Sequence, residues 1–312
     1  MIIILLSIVG VVVGAFAALW KIGPLFRSYL LPPTVQEYGE NTLSIMDSGL
    51  YASKPEWQEA RKIASDKIAR ATSYAEANKI LRDAIAVAGG KHSNIVSADE
   101  IKAPRKEYLA PTVEISNKIV TVTLPELDIR QNKGQEYADT IASALDPSIC
   151  GVVLDLRQNQ GGDMGPMLAG LSPLLPDGDL TSFVFKENVH SVNLKDGHVT
   201  GGGSAVSVKN TTKLSVPIAI LTGPDTASSG EQTLLAFRGL DNVKVFGQPT
   251  AGFASVNQSY PLYNGSLMIL TIGESKTRTG ETFGDSPIIP DFEVPLAKAA
   301  EQGLDWLKQK GC

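Results

Sequence analysis

Two segments of this chain carry residues suited to acyl transfer. The apolar run Gly151-Val-Val-Leu154 leads into D-L-R-Q-N-Q-G-G at 155–162, and Val216-Pro-Ile-Ala-Ile-Leu221 leads into T-A-S-S-G-E at 226–231. Each reads as a buried strand ending in a tight turn of small residues. The second turn offers Ser228 just before a helix that begins near Glu231, where the helix dipole favours a developing negative charge. The first offers Gly161 and Gly162, whose backbone can approach a substrate carbonyl closely. Acyl transfer needs a nucleophile facing backbone N–H donors, and the amides of Gly161, Gly162 and Ser229 are the candidate oxyanion donors. A serine in such a turn is by itself ordinary turn chemistry, and a Gly-Gly pair an ordinary tight turn. Asp155 and Arg157 are expected to hold the first turn rather than react.

A serine needs a base. The chain has three histidines, His92, His190 and His198. His190 and His198 fall in a Gly/Asn-rich stretch and read as rim residues. His92 follows Gly89-Gly90 at a helix exit, a position that suits either a functional histidine or a structural one in a helix cap. Three scattered histidines without a clustered ligand motif argue against zinc, and no cofactor is expected.

The elements that must position these groups follow from periodicity. A Pro-marked connector surrounds Pro32-Pro33. Residues 55–87 have helical spacing, with Trp57, Ala60, Ile63 and Ala64 on one face. Thr72-Ser73 breaks this run, and Ser73 with Glu76 has capping-box spacing for a second helix that stops at Gly89-Gly90. The pair reads as a helical hairpin delivering Lys91-His92-Ser93. Residues 111–125 alternate as a strand hairpin turning at Asn117-Lys118. A helix is expected over 134–145 and another over Pro166–Leu175. Residues 180–210 read as a flexible loop region with short strands. An amphipathic helix over 231–238, strands at 243–246 and 267–272 that close the sheet, and a terminal helix over 296–310 complete the reading. Strand, turn and helix repeated twice indicate an α/β domain.

The ordered blocks A-G-G-K-H-S at 88–93, G-V-V-L-D-L-R-Q-N-Q-G-G-D-M at 151–164, P-M-L-A-G-L-S-P-L-L at 166–175, T-A-S-S-G-E at 226–231, F-G-Q-P-T-A-G at 246–252 and P-I-I-P-D at 287–291 resemble the tail-specific (C-terminal processing) serine peptidases and their tricorn-like relatives. The resemblance covers residues 55–295. It implies an α/β fold with a ββα core of the crotonase/Clp-like kind, and peptide hydrolysis with Ser228 as nucleophile. In the branch that lacks a PDZ module, a histidine after the N-terminal helical hairpin is the base, which here is His92. The stretch between His92 and the first core strand is too short for a PDZ domain. The processing peptidases instead use a lysine, in a block like T-F-G-K-G. Phe253 occupies that position here and cannot take a proton, so either His92 is the base or the site is inactive. Asn257, four residues on, falls where those enzymes keep a polar orienting residue, and could orient a base or bind substrate. The tricorn-like branch also uses a serine beside the histidine and a distant glutamate. Ser93 corresponds to the first only loosely, and Glu274 and Glu281 are the candidates for the second. The rival readings are a peptide-binding pseudo-peptidase and a small ester or amide hydrolase.

Composition bounds the partners. The 312 residues carry a net charge of −5 and no Lys/Arg run, which argues against nucleic acid as a partner and leaves a peptide or protein substrate. Residues 1–20 lack charged side chains and match one bilayer span of roughly 20 residues. A basic n-region and a short apolar core, the marks of a cleaved signal, are absent, so an uncleaved transmembrane helix is expected. Lys21 and Arg27 after the span lean toward a cytoplasmic body, whereas the resemblance implies an extracytoplasmic one, and that is the expectation taken forward. The domains expected are thus a transmembrane anchor at 1–20, a connector and helical lobe at 21–110, and a catalytic domain at 111–312. Of the two cysteines, Cys150 is expected as a buried small hydrophobe and Cys312 as a mobile end, without a disulfide.

Overall fold

The computed structural model describes residues 32–210 and 212–312. The anchor expected over residues 1–20 lies outside the described residues, and among the latter no helix is long and apolar enough to cross a membrane. The chain folds as two compact units, one of residues 32–104 and 257–272, the other of 105–256 and 273–312. Residues 257–272 therefore fold with the helical lobe and not with the remainder of 111–312.

The first unit opens with a helix that the connector reading did not anticipate, α1 (Val35–Met46). Thr34 caps it, its hydroxyl accepting from the Glu37 N–H at 3.1 Å while the Glu37 carboxylate accepts from the Thr34 N–H at 2.8 Å. The expected hairpin follows as α2 (Pro55–Ile68) and α3 (Tyr74–Gly89). Ser73 caps α3 as its spacing suggests, although Glu76 reaches back to Thr72 rather than to the Ser73 N–H. Tyr38, Leu43, Met46, Trp57, Ile68, Leu81 and Ile85 pack between the three helices. After the turn at 91–92 come β1 (Asn94–Val96) and the short α4 (Ala98–Lys102).

The second unit begins with β2 (Thr112–Ser116) and β3 (Ile119–Thr123), joined at Asn117 and Lys118, whose φ angles of 49° and 63° suit a two-residue hairpin. Then come α5 (Gly134–Ala142), β4 (Gly151–Asp155) and α6 (Met164–Gly170), the last shorter than expected, with a 3-10 turn at Ser172–Leu174. The stretch read as a flexible loop is an ordered antiparallel ribbon of β5 (Gly178–Val184), β6 (Val189–Lys195) and β7 (His198–Thr200). Next are β8 (Ile218–Thr222), α7 (Ser229–Phe237) and β9 (Val243–Gly247). The chain continues through β10 (Val256–Pro261) and β11 (Leu267–Thr277). The first part of β11 pairs with β1 and β10 in the first unit and does not close the core sheet, while Glu274–Thr277 pair with β5 in the second. β12 (Thr282–Phe283), β13 (Phe292–Glu293) and α8 (Leu296–Gln309) finish the chain.

The core sheet has the order β13-β9-β8-β4-β3-β2, parallel except for β2. Side chains alternate across it, as a strand requires. Val152, Leu154, Ile218 and Ile220 join one buried cluster with residues of α5, α6 and α7, while Val153, Ala219 and Leu221 face α8 through Ala299 and Leu307. Burial on both faces explains the unbroken apolar runs that led into the two turns. Because β4 and β8 are parallel neighbours, with Asp155 opposite Leu221, both turns leave the same edge of the sheet. The carboxyl ends of parallel strands are where such sheets bind ligands.

Cys150 and Cys312 form a disulfide with Cα atoms 5.5 Å apart, contrary to the expectation of two free thiols. Docking of α8 on the sheet brings the last residue of the chain back to the start of β4. The link spans 162 residues of sequence, and cross-links of this kind typically contribute about 2–4 kcal/mol. Cys312→Ser should therefore lower the urea midpoint of unfolding, and added reductant should lower that of the wild type to a similar value without shifting the variant. Equal midpoints for oxidised wild type and variant would mean that the link contributes nothing.

Candidate active site

Ser228 sits at the N-cap of α7 with φ 51° and ψ −116°, a combination that a residue with a side chain rarely adopts. The turn around it is held at several points. Thr226 donates its hydroxyl to the Leu156 carbonyl at 2.8 Å, the Ala227 N–H reaches the Asn159 carbonyl at 2.9 Å, and the Ala251 N–H reaches the Thr226 carbonyl at 2.9 Å. Ser228 is half-exposed, as is Ala227 before it, while Ser229 after it is buried. A strained, half-exposed serine between a strand and a helix is the arrangement of a nucleophile elbow.

The glycine turn lies directly against it. Gly161 has φ 112°, and a Cβ there would stand 2.8 Å from Ser228 Cβ and 3.1 Å from the Ser229 nitrogen. The Gly161 N–H is committed to Asn159 Oδ1 at 2.9 Å, which removes it as an oxyanion donor. The N–H groups of Gly162 and Ser229 make no hydrogen bond among the described residues. The Ser229 hydroxyl donates to the Gly162 carbonyl at 2.6 Å, strapping the two segments together. Two uncommitted amides therefore flank Ser228, one of them at the first turn of a helix.

Glu231, not singled out from the sequence as a site residue, organises this turn. It is fully buried, and its carboxylate accepts from the N–H groups of Ser228 at 3.1 Å, Gly252 at 2.9 Å and Phe253 at 2.6 Å, and from the Thr250 hydroxyl. Burial pushes its pKa above the ordinary glutamate range, and these four donors pull in the opposite direction. The sequence signal was its place three residues after Ser228, the capping-box position. Asn159 was likewise not singled out. It is fully buried and holds both turns, through its side chain to Gly161 and its carbonyl to Ala227.

The other expected residues are distributed as follows. His92 is half-buried in the first unit, in the turn between α3 and β1. Ser93 beside it is buried, and its hydroxyl accepts from the Thr271 N–H at 2.9 Å. The Thr271 hydroxyl in turn donates to Asn257 Oδ1 at 2.7 Å, so two residues read separately from the sequence meet on one threonine. Glu274 lies half-buried in β11 in the second unit, near Gly284. Glu281 is committed elsewhere, accepting from Arg238 at 3.1 and 3.2 Å and from Thr279 at 2.9 Å, and those bonds lower its pKa. His190 packs edge-on to Phe185, and His198 Nδ1 lies 2.6 Å from the Ser207 hydroxyl, both on the exposed ribbon. Among the described residues no group of three or more His, Cys, Asp or Glu could hold a metal ion.

Similarity to known proteins extends over most of the chain. Residues 118–294 match the model of peptidase family S41. The chain is 38% identical over 98% of its length to the nisin-resistance protein of Lactococcus lactis subsp. lactis, and covers 98% of that protein. Among solved structures it is similar to a lipoprotein from Streptococcus agalactiae, with a TM-score of 0.79, 33% identity, and coverage of 90% of this chain and 99% of the other. The photosystem II D1 C-terminal processing protease shares the fold, with a TM-score of 0.61 at 12% identity over 88% of this chain and 97% of that one.

Two outcomes follow for this turn. Gly161→Ala would force the new methyl against Ser228 and strain the backbone, so labelling of Ser228 by a fluorophosphonate should fall at least about tenfold, and unchanged labelling would remove the glycine from the site. Glu231→Ala leaves several buried donors without an acceptor and should cost about 3 kcal/mol or more, together with labelling. The raised pKa means that the folded chain holds a proton the unfolded chain has released between the ordinary glutamate range and the raised value. Stability contributed by this group is therefore greatest below that window and declines as pH rises through the folded pKa. Glu231→Gln should flatten that decline in a urea titration, and an unchanged pH slope would show that Glu231 is not its source.

Proposed function

The chain belongs to peptidase family S41 and is a serine-type peptidase, and from that premise we propose that Ser228 is its nucleophile and His92 its general base. The observation that carries this reading is the strained Ser228 at the N-terminus of α7, facing Gly161 and flanked by the uncommitted amides of Gly162 and Ser229. His92 takes the Ser228 Oγ proton as Oγ attacks the peptide carbonyl carbon. The N–H groups of Gly162 and Ser229 carry the oxyanion. Collapse expels the amine, which takes the proton back from the imidazolium, and water then hydrolyses the ester on Ser228 with His92 again as base. Phe253 stands where a lysine base would be, so the proton must go to another group. Ser93 steadies the segment that bears His92, and Glu274 is the remaining carboxylate candidate for orienting the imidazole, since Glu281 is engaged by Arg238. The core is read as the crotonase/Clp-like ββα type.

The name of the Lactococcus lactis relative supports a substrate class. We take antibiotic peptides of the nisin kind as substrates, with peptide cleavage as the means of resistance. Residues 1–20 are proposed as a membrane anchor with the catalytic body outside the cytoplasm. The lipoprotein relative and the Cys150–Cys312 disulfide, a bond favoured in oxidising compartments, both support that side.

Fluorophosphonate labelling of the wild type, Ser228→Ala and His92→Ala, paired with mass spectrometry of nisin digests, tests the reading. Wild type should label and cleave nisin, and each variant should lose about a thousandfold or more of the cleavage rate. A wild type that never labels would indicate a peptide-binding pseudo-peptidase. Labelling with turnover of small esters alone would indicate an acyl hydrolase.

A further inference from the structure

We propose that Ser229 is a positioning residue for the oxyanion site, its side-chain hydroxyl holding the Gly162 carbonyl so that the Gly162 N–H points at the charge that forms on the substrate. This inference deepens the reading of Ser228 as nucleophile and rests on it. All the groups concerned lie within the second unit. The Gly161 N–H donates to Asn159 Oδ1 at 2.9 Å, and the Gly161 carbonyl accepts from the Leu127 N–H at 3.1 Å. The Asp163 N–H donates to the Leu127 carbonyl at 2.8 Å. Gly162 is thus bridged to Leu127 in the parallel sense, and a residue bridged in this way turns its own N–H and carbonyl away from its partner. On that far side the Gly162 carbonyl accepts from the Ser229 hydroxyl at 2.6 Å. The Gly162 N–H leaves on the same side, toward the start of α7, and makes no hydrogen bond among the described residues.

Glycine gives this turn its shape and removes its stiffness. Gly162 has φ 103°, and a Cβ there would run into the Leu127 carbonyl, so the close bridge requires glycine. The glycine backbone is also the most freely rotating of any residue, and hydrogen bonds must supply the rigidity that a side chain would otherwise give. Leu127 supplies them from one side, and the Ser229 hydroxyl supplies the one on the other. Ser229 carries the second candidate donor as well, its own N–H. A continuous path of atoms therefore runs from the Ser229 nitrogen through Cα, Cβ and Oγ, across the hydrogen bond to the Gly162 carbonyl, and back through Cα to the Gly162 nitrogen. One short side chain thus ties the two donors to each other. Oxyanion donors work by being in place before the charge appears, so a small displacement slows the reaction without weakening ground-state binding.

The test compares full-length wild type with Ser229→Ala, which keeps the amide and loses the hydroxyl, and Ser229→Thr, which keeps both. Steady-state kinetics use the member of a random decapeptide library that wild type cuts fastest. A peptide trifluoromethyl ketone of the same sequence is studied alongside. Addition of Ser228 to the ketone leaves a hemiketal oxygen where the oxyanion would stand, and fluorine NMR reads its pKa. Ser229→Ala should lower kcat about 10–100-fold with KM within about twofold of wild type, the pattern of an interaction made only in the transition state. It should also raise the hemiketal pKa by about one unit or more, because donors that favour the charged form have moved. Ser229→Thr should restore both quantities to near their wild-type values. A kcat within about twofold of wild type in Ser229→Ala would overturn the proposal. So would a lowered kcat with an unmoved hemiketal pKa, since a merely structural loss slows the enzyme without touching that charge. A Ser229→Thr variant as slow as Ser229→Ala, at the wild-type urea midpoint, would overturn it too. A wild type that cuts the decapeptide yet forms no hemiketal would instead strike the serine reading itself.

Discussion

A buried carboxylate with four hydrogen-bond donors around it is the interaction on which the candidate site depends. Burial alone disfavours an ionised Glu231, and the raised pKa records that cost. The donors around it would be equally costly to leave bare, since each is a polar group withdrawn from water. Carboxylate and donors are thus stable only together. Their assembly fixes the Ser228 amide relative to residues 250–253 and sustains a backbone conformation that Ser228 would not hold unaided. The strain at Ser228 is thereby linked to a polar cluster a few ångströms away.

The sheet supplies the second constraint. Parallel pairing of β4 with β8 sets the ends of both strands side by side, and the bonds from Thr226 to Leu156 and from Ala227 to Asn159 convert that register into a fixed approach of Gly161 to Ser228. A Cβ at residue 161 has no room because the two turns are already in contact. The same packing leaves the Gly162 and Ser229 amides unused. They are orphan donors because the strand has ended on one side and the helix has only begun on the other. The proposed oxyanion site would in this sense be a by-product of two chain reversals meeting, with little side-chain chemistry needed to build it.

Much of this was legible in the sequence, and the failures share a cause. The apolar runs, the Asn117-Lys118 hairpin and the Ser73 cap follow from local pattern, and local pattern is what composition and spacing report. The Ser228 and Gly161 turns were legible for the same reason. Pairings between distant segments were not. Nothing local says that residues 257–272 join the helical lobe, that Glu274–Thr277 pair with the ribbon, or that the last residue returns to Cys150. The ribbon itself was hidden by glycines and asparagines, which read as loop although antiparallel pairing accommodates them between its strands. Glu231 and Thr271 escaped notice because each looks like an ordinary helix or strand residue until its partners, brought from elsewhere in the chain, are counted.

The proposed histidine base would let this chain carry Phe253 in place of a lysine without rebuilding the turn. Its contribution to the Glu231 cluster is made by the backbone N–H, which any residue except proline supplies. The identity of the side chain at 253 does not enter that hydrogen bond. A lysine base at such a place would have to be desolvated to lower its pKa toward neutrality, whereas an imidazole titrates near neutral pH without that help. On the proposed reading, a histidine base relaxes a demand on the environment of residue 253, and an apolar side chain there is compatible with catalysis.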